Sequence, residues 1–223
     1  MESEFWNQIV DEYKIPRERM IKRLREYYKI QDEKVLDAMC VIPRHFFVPS
    51  ALKAQAYADN ALPIAGNQTI SQPYIVAKMT ELLEVSSNAR ILEIGAGSGY
   101  QTAILSQLAR SVYAIERVSN LASEAQNRLQ QLKIHNVVLR CGDGTIGWEV
   151  YAPYDGILVA AGGPTMPEPL LSQLKLGGKL VIPIGQDQQS QRLIRVTRTN
   201  RGFESEDFGG CAFVPLIGEH GWK

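Results

Sequence analysis

Cysteine is scarce in this sequence: Cys40, Cys141 and Cys211 stand among 223 residues. They are widely spaced, form no CxxC pair and have no histidine at ligand spacing, which argues against a disulfide framework and a zinc site. Scattered cysteines fit a reducing compartment, each expected to pack as a small apolar side chain. No apolar run approaches the ~20 residues that span a bilayer. Met1-Glu2-Ser3-Glu4 is acidic where a secretory leader would be basic. Neither sign of charge is in excess, with Lys+Arg and Asp+Glu at 24 each. Proteins that grip phosphate backbones usually carry a basic surplus, so nucleic acid is not the expected partner. Internal repeats and low-complexity stretches are also missing. The expectation is a soluble, cytoplasmic chain, taken as a monomer, with no metal and no membrane contact.

What is present suits one ordinary domain. A chain of this length buries roughly 70% of its unfolded surface in a single core. Phe5, Trp6, Ile9, Val10 and Tyr13 recur at helical spacing. Pro16 restarts the chain, and Met20, Ile21, Leu24 and Tyr28 form a second stripe. Arg17, Arg19, Lys22, Arg23 and Arg25 surround that stripe, interleaved with Glu18 and Glu26, and read as a solvated helix face. Asp32 is placed to cap a third helix that turns Val35, Leu36 and Met39 inward. Pro43, Pro49, Pro63 and Pro73 then break any regular pattern, and Gly66-Asn67 adds a turn signal. A loop this long in a compact domain is usually functional.

From Arg90 onward short β-rich runs (90–94, 112–115, 137–139, 156–160 and 179–183) alternate at first with helical patterns at 102–108 and 121–132. Such alternation predicts a parallel sheet covered on both faces. Runs at 192–197 and 212–214 have no helix-length segment between them and predict an antiparallel closing edge. The fold class is therefore α/β, a doubly wound, mostly parallel, seven-stranded Rossmann-like sheet with an N-terminal helical layer. One domain over 1–223 divides into that layer (1–56), an active-site loop and helix (57–88) and the sheet core (89–223).

The sharpest feature is Ile91-Leu92-Glu93-Ile94-Gly95-Ala96-Gly97-Ser98-Gly99-Tyr100, where the first strand of the alternating region turns into a helix. Glycines there let backbone approach a ligand at the mouth of the sheet. The dinucleotide fingerprint is G-x-G-x-x-G; here the third glycine comes one residue early, and Tyr100 stands in its place. Glu93, two residues before Gly95, would repel a pyrophosphate but attract a cationic amino-acid end. This points to S-adenosylmethionine, which carries an ammonium and a sulfonium and no phosphate. Glu116, ending the second strand, suits the two ribose hydroxyls, as an acid about 20 residues on does in the related fold. Asp143 follows the third strand and suits the adenine amino group. Helix dipoles alone also favour acids at helix starts; three at successive strand ends beside a glycine loop favour the ligand.

The acceptor is read from Tyr57-Ala58-Asp59-Asn60-Ala61-Leu62-Pro63-Ile64-Ala65-Gly66-Asn67-Gln68-Thr69-Ile70-Ser71-Gln72-Pro73-Tyr74 and from Ile42-Pro43-Arg44-His45-Phe46-Phe47-Val48-Pro49. With Ala152-Pro153-Tyr154-Asp155, Val181-Ile182-Pro183-Ile184-Gly185 and Phe213-Val214-Pro215-Leu216, these resemble the protein-L-isoaspartate O-methyltransferase family from about residue 17 to about 217. The resemblance implies a repair enzyme that methylates the α-carboxylate of an isoaspartyl residue with S-adenosylmethionine. The ester then collapses to a succinimide that hydrolyses partly to aspartate. It also implies that Ser71 is the active-site serine. Gln68, Thr69, Gly95, Gly97, Gly99 and Gly144 join Glu93, Glu116 and Asp143 at the cofactor, and Ile70 and Val214 join Ser71 at the substrate. The family commonly has glycine where Ala65 and Asn67 stand here; Asn tolerates the left-handed region a turn needs.

The chemistry requires no general base. A peptide α-carboxylate has a pKa near ~3.5 and is already ionised at neutral pH. Aligning two bound reactants is the main task, and Ser71 is expected to donate a hydrogen bond to the carboxylate; its other reading is a helix-cap serine. An extended peptide along Phe213-Val214-Pro215 and the Ile70-Ser71 loop would borrow main-chain hydrogen bonds. Gly162-Gly163-Pro164 reads as a cofactor-side loop or a plain turn, and His45 beside Phe46 and Phe47 as structural. Rival readings are a cofactor-binding adaptor without turnover, a methyltransferase of this fold for another acceptor, and a dehydrogenase, which Tyr100 disfavours.

Overall fold

The computed structural model describes residues 12–188 and 190–223. Most of the first expected helix, residues 5–13, lies outside the described residues. Helix α1 (Lys14–Glu26) buries Met20, Ile21 and Leu24, as the spacing requires. The exposed basic face holds for Arg19, Lys22, Arg23 and Arg25, but Arg17 turns inward and is 2% exposed. It lies three and seven residues before Met20 and Leu24, on the apolar stripe rather than opposite it. In α2 (Glu33–Val41) the Asp32 carboxylate accepts from the N–H groups of Lys34 and Val35, the expected cap.

The proline-rich stretch is ordered. Two 3-10 turns, Arg44–Phe47 and Ser50–Gln55, lead to a small antiparallel hairpin of β1 (Leu62–Pro63) and β2 (Thr69–Ile70). Its turn needs left-handed backbone at two successive residues, Gly66 (φ 67°) and Asn67 (φ 55°), and Ala65 is spared that demand. Helix α3 (Pro73–Leu83) follows, with Pro73 in its first turn, where a missing N–H costs nothing.

The main sheet has seven strands: β3 (Arg90–Ile94), β4 (Ser111–Glu116), β5 (Val137–Cys141), β6 (Tyr154–Val159), β7 (Leu174–Asp187), β8 (Ser190–Thr199) and β9 (Gly202–Cys211). Their order is β5-β4-β3-β6-β7-β8-β9. Pairing is parallel from β5 to β7 and antiparallel across β7-β8 and β8-β9. The closing edge is antiparallel as expected, but its last strand is β9, not 212–214. Helices α4 (Tyr100–Leu108), α5 (Ser119–Gln131) and α6 (Glu168–Ser172) complete the two layers. Central strands are apolar on both faces: Leu92 and Ile94 pack with Ile157, Val159 and Leu180, and Ile91 with Met79, Leu105 and Val181. The N-terminal helices add a third cluster around Leu24, Leu36, Met39, Phe47 and Tyr100.

The cysteines depart from expectation. Cys40 and Cys141 are exposed, because α2 turns Leu36 and Met39 inward and β5 forms a sheet edge. Cys211 is half-buried, and burial pushes its thiol up to about 11. None of the described helices is long and apolar enough to cross a membrane.

Candidate functional site

The chain runs from β3 outward through β4 and β5, then returns to β6 on the other side of β3. That reversal opens a crevice at the carboxyl ends of β3 and β6, the place where doubly wound sheets bind ligands. A cavity of about 340 Å³ lies there. Its walls are Ile94, Gly95 and Gly97 after β3, Ile115 and Glu116 of β4, Gly144 after β5, and Ala160 and Ala161 after β6. Asn67, Gln68 and Thr69 of the hairpin and Val214–Ile217 of the tail close it.

The glycine loop owes its shape to backbone that side chains resist. Gly95, Gly97 and Gly99 have φ of 86°, 54° and 89°. Gly99 stands at the start of α4 rather than on the cavity wall. The loop is pinned by the Ile115 carbonyl, which accepts from Gly95 and Ala96 at 2.8 and 3.3 Å. Glu116 is 6% exposed and lines the cavity. Its carboxylate accepts the N–H groups of Gly97 and Val118, both at 2.8 Å. Each oxygen keeps a further lone pair, enough for a pair of hydroxyls. A side chain at Gly144 would collide with the core Ile94, so the backbone can pack this closely only as glycine.

Two acids stand differently from the sequence expectation. Glu93 does not line the cavity; it is 0% exposed and neither carboxyl oxygen has a hydrogen-bond partner. Burial, relieved in part by the nearby Thr102 hydroxyl and reinforced by Glu116, pushes the carboxyl up to about 8. Strand alternation is the reason: with Leu92 and Ile94 facing one layer, Glu93 faces the other, beneath α4. Asp143 also lies off the wall. Its Oδ1 accepts from the Thr145 N–H and hydroxyl at 2.8 and 2.7 Å, and its Oδ2 from the Glu219 N–H at 2.8 Å. Despite partial burial, these bonds hold its pKa below the usual carboxylate value.

Beyond Thr69 the chain runs through Ile70 and Ser71 into α3. Ile70 is buried and Ser71 half-buried. No described residue engages the Ser71 hydroxyl, and α3 has no side-chain cap, so the helix-cap reading does not hold. The Ser71 carbonyl instead accepts from Arg44 Nη2 at 2.8 Å. Val214 lines the cavity, and its carbonyl accepts from Gly162 at 2.8 Å. Gly162-Gly163 is a joint rather than a cofactor loop: Gly162 bridges to Pro215 and Gly163 to Ile184. The wall positions Asn67, Ala160, Ala161 and Leu216 carry no chemical signature that a sequence reading could have used. His45 is structural, stacked on Tyr13 at 4.1 Å and bonded through Nδ1 to the Tyr57 hydroxyl at 2.8 Å.

These residues fit a donor with a ribose and a cationic end: glycine backbone at the mouth of the sheet, the Glu116 carboxylate on the cavity wall and the Glu93 carboxyl beneath the loop. One family model matches residues 15–221. The chain belongs to the protein-L-isoaspartate(D-aspartate) O-methyltransferase family. The protein-L-isoaspartate O-methyltransferase of Syntrophus aciditrophicus is 49% identical over 218 residues, covering 96% of this chain and 100% of that one. That of Dictyoglomus turgidum is 51% identical over 211 residues, 95% of each. A solved protein-L-isoaspartate O-methyltransferase superposes with a TM-score of 0.82 at 28% identity, over 92% of this chain and 67% of its own. A Plasmodium falciparum protein of the same description, crystallised with S-adenosyl-L-homocysteine, gives 0.79 at 25% identity over 90% and 98%. The family's methyl donor is S-adenosylmethionine.

Proposed function

We propose that this chain repairs damaged proteins by methylating the α-carboxylate of L-isoaspartyl residues, with Ser71 orienting the carboxylate. S-adenosylmethionine supplies the electrophilic methyl group when bound. The observation that carries the reading is the segment from Gln68 to Pro73. It brings Gln68 and Thr69 to the cavity wall and presents, two residues on, a half-buried serine hydroxyl that no described residue engages.

On this reading Gln68, Thr69, Gly95, Gly97, Glu116 and Gly144 form the donor site, Glu116 accepting from the ribose hydroxyls, and Gly99 shapes the loop at the start of α4. Asp143 sets the turn from which Gly144 meets the cavity, and Glu93 lies beneath the loop as a buried carboxyl that burial keeps neutral in the ligand-free enzyme. Ile70, Ser71 and Val214 form the acceptor site. Ser71 donates to the carboxylate and takes no proton, because the acceptor is already ionised. The Phe213 N–H is committed to Gln191 Oε1 and the Val214 carbonyl to Gly162, which leaves the Val214 N–H for a peptide main chain. If Val214→Pro left the peptide KM unchanged, that pairing would be wrong. The enzyme is read as one domain and a monomer, acting in the cytoplasm and not on nucleic acid. Balanced charge and three free cysteines support the last two points, and light scattering tests the monomer.

Labelled methyl transfer to two peptides that differ only in isoaspartate or aspartate is the test. Base-labile label on the isoaspartyl peptide alone is expected, with Ser71→Ala cutting kcat at least tenfold. Label on neither peptide, with S-adenosylmethionine still bound, would sink the reading.

A further inference from the structure

Arg44 is a buried cation with an unusual set of partners. It is 0% exposed, yet among the described residues no carboxylate pairs with it. Nε donates to the Ala56 carbonyl at 2.7 Å and Nη2 to the Ser71 carbonyl at 2.8 Å. Its guanidinium carbon lies 5.0 Å from the centre of the Tyr100 ring, and Nη1 is buried without a partner. A charge buried against neutral carbonyls is costly, and an apolar side chain of similar volume would be the more stable filling. What the arginine adds is geometry: its planar fork fixes two segments of backbone relative to each other.

The segment it fixes is the one that carries Ser71. Beyond Ser71 stands Gln72, whose Nε2 donates to the Asp59 carboxylate at 3.0 Å and to the Asp59 carbonyl at 3.2 Å. Asp59 is held in turn by the Tyr28 hydroxyl at 2.5 Å, and Tyr28 stacks on Tyr74 at 4.0 Å. The Ser71-Gln72 peptide is thus gripped from the core side through its carbonyl and from the α1 side through the Gln72 amide. No described residue bonds the Ser71 hydroxyl itself.

We propose that Arg44 and the Gln72–Asp59 pair form a two-sided clamp that positions the Ser71 hydroxyl for the acceptor carboxylate. Both are positioning residues, and neither touches the reacting atoms. The inference rests on the role proposed above for Ser71. Lysine at position 44 keeps the charge but replaces the planar fork with a single ammonium, so it cannot reproduce the bidentate grip.

The test is a double-mutant cycle on isoaspartyl-peptide methylation. Arg44→Lys is expected to lower kcat at least tenfold, with affinity for S-adenosylhomocysteine within about twofold of wild type. Gln72→Ala loosens the same peptide from its outer side without opening the core, and keeps the test available if Arg44→Lys does not fold. It is expected to give a smaller loss of the same kind. Combined with Ser71→Ala, either change should cost almost nothing further, because the group being positioned is already gone. Losses that multiply in the double variants would overturn the clamp, as would losses confined to KM or matched by a fall in S-adenosylhomocysteine affinity. Full activity in Ser71→Ala would overturn the role of the serine itself, and is told apart by that single variant.

Discussion

The Glu116 carboxylate and the Gly97 amide are bonded at 2.8 Å, so the wall of the donor cavity and the loop that roofs it are one hydrogen-bonded unit. Glu116→Ala removes the acceptor for two backbone N–H groups, at an expected cost of about 1–3 kcal/mol for the groups left unsatisfied. It should also weaken S-adenosylhomocysteine binding at least tenfold in calorimetric titration. Loss of stability without loss of affinity would confine Glu116 to holding the loop.

Glu93 makes the ligand-free enzyme sensitive to alkali. Its carboxyl titrates near 4.3 when unfolded and at about 8 when folded. The stability tied to the neutral form is fully present below the unfolded value and is lost as pH rises through 8. Glu93→Gln should remove a loss on the order of a few kcal/mol between pH 5 and 8.5, read from urea midpoints. Parallel pH profiles for the two proteins would show that the carboxyl is not held neutral.

His45 acts in the opposite window. Burial first, then the nearby charges of Arg17 and Lys53, lower it from 6.5 to about 4. The folded state refuses a proton the unfolded state accepts, so stability is present above about 6.5 and lost as pH falls towards 4. Against His45→Gln, the wild type should lose up to about 3 kcal/mol more across that range. Equal slopes in thermal melts would count against it.

Asp143 ties the tail to the sheet. Besides accepting from Glu219, it holds Thr145, whose hydroxyl oxygen accepts the His220 N–H at 3.1 Å. Asp143→Ala should speed hydrogen exchange at the amides of Glu219 and His220 at least tenfold while leaving β3 and β4 protected. Unchanged exchange there would mean that the other tail contacts, the Trp222 indole and the Leu216 N–H on the Gly162 carbonyl at 2.9 and 2.8 Å, hold the tail without Asp143.

The strands buried on both faces were legible because burial leaves an apolar run: β3 falls on the five residues expected. The edge was not. In β9 the residues from Gly202 to Phe208 are all exposed, so no alternation marks them. That strand is held by its backbone ladder with β8, with Arg195–Glu206 and Arg192–Asp207 pairing across it, contacts that single-residue patterns do not register. The glycine loop and Glu116 were readable from spacing, since a strand end places them. The direction of Glu93, the tail that engages Asp143 and the burial of Arg17 and Arg44 depend on what packs opposite each residue. Composition counts those arginines among surface charges.

The hairpin has a mechanical implication. Thr69, on the cavity wall, and Ser71 lie two residues apart on one piece of backbone, and Asn67 at the hairpin turn shares that wall with Val118 beyond the β4 end. The wall of the cavity and the serine are therefore joined by one short covalent span, so a change in how Thr69 sits against the cavity is passed directly to Ser71.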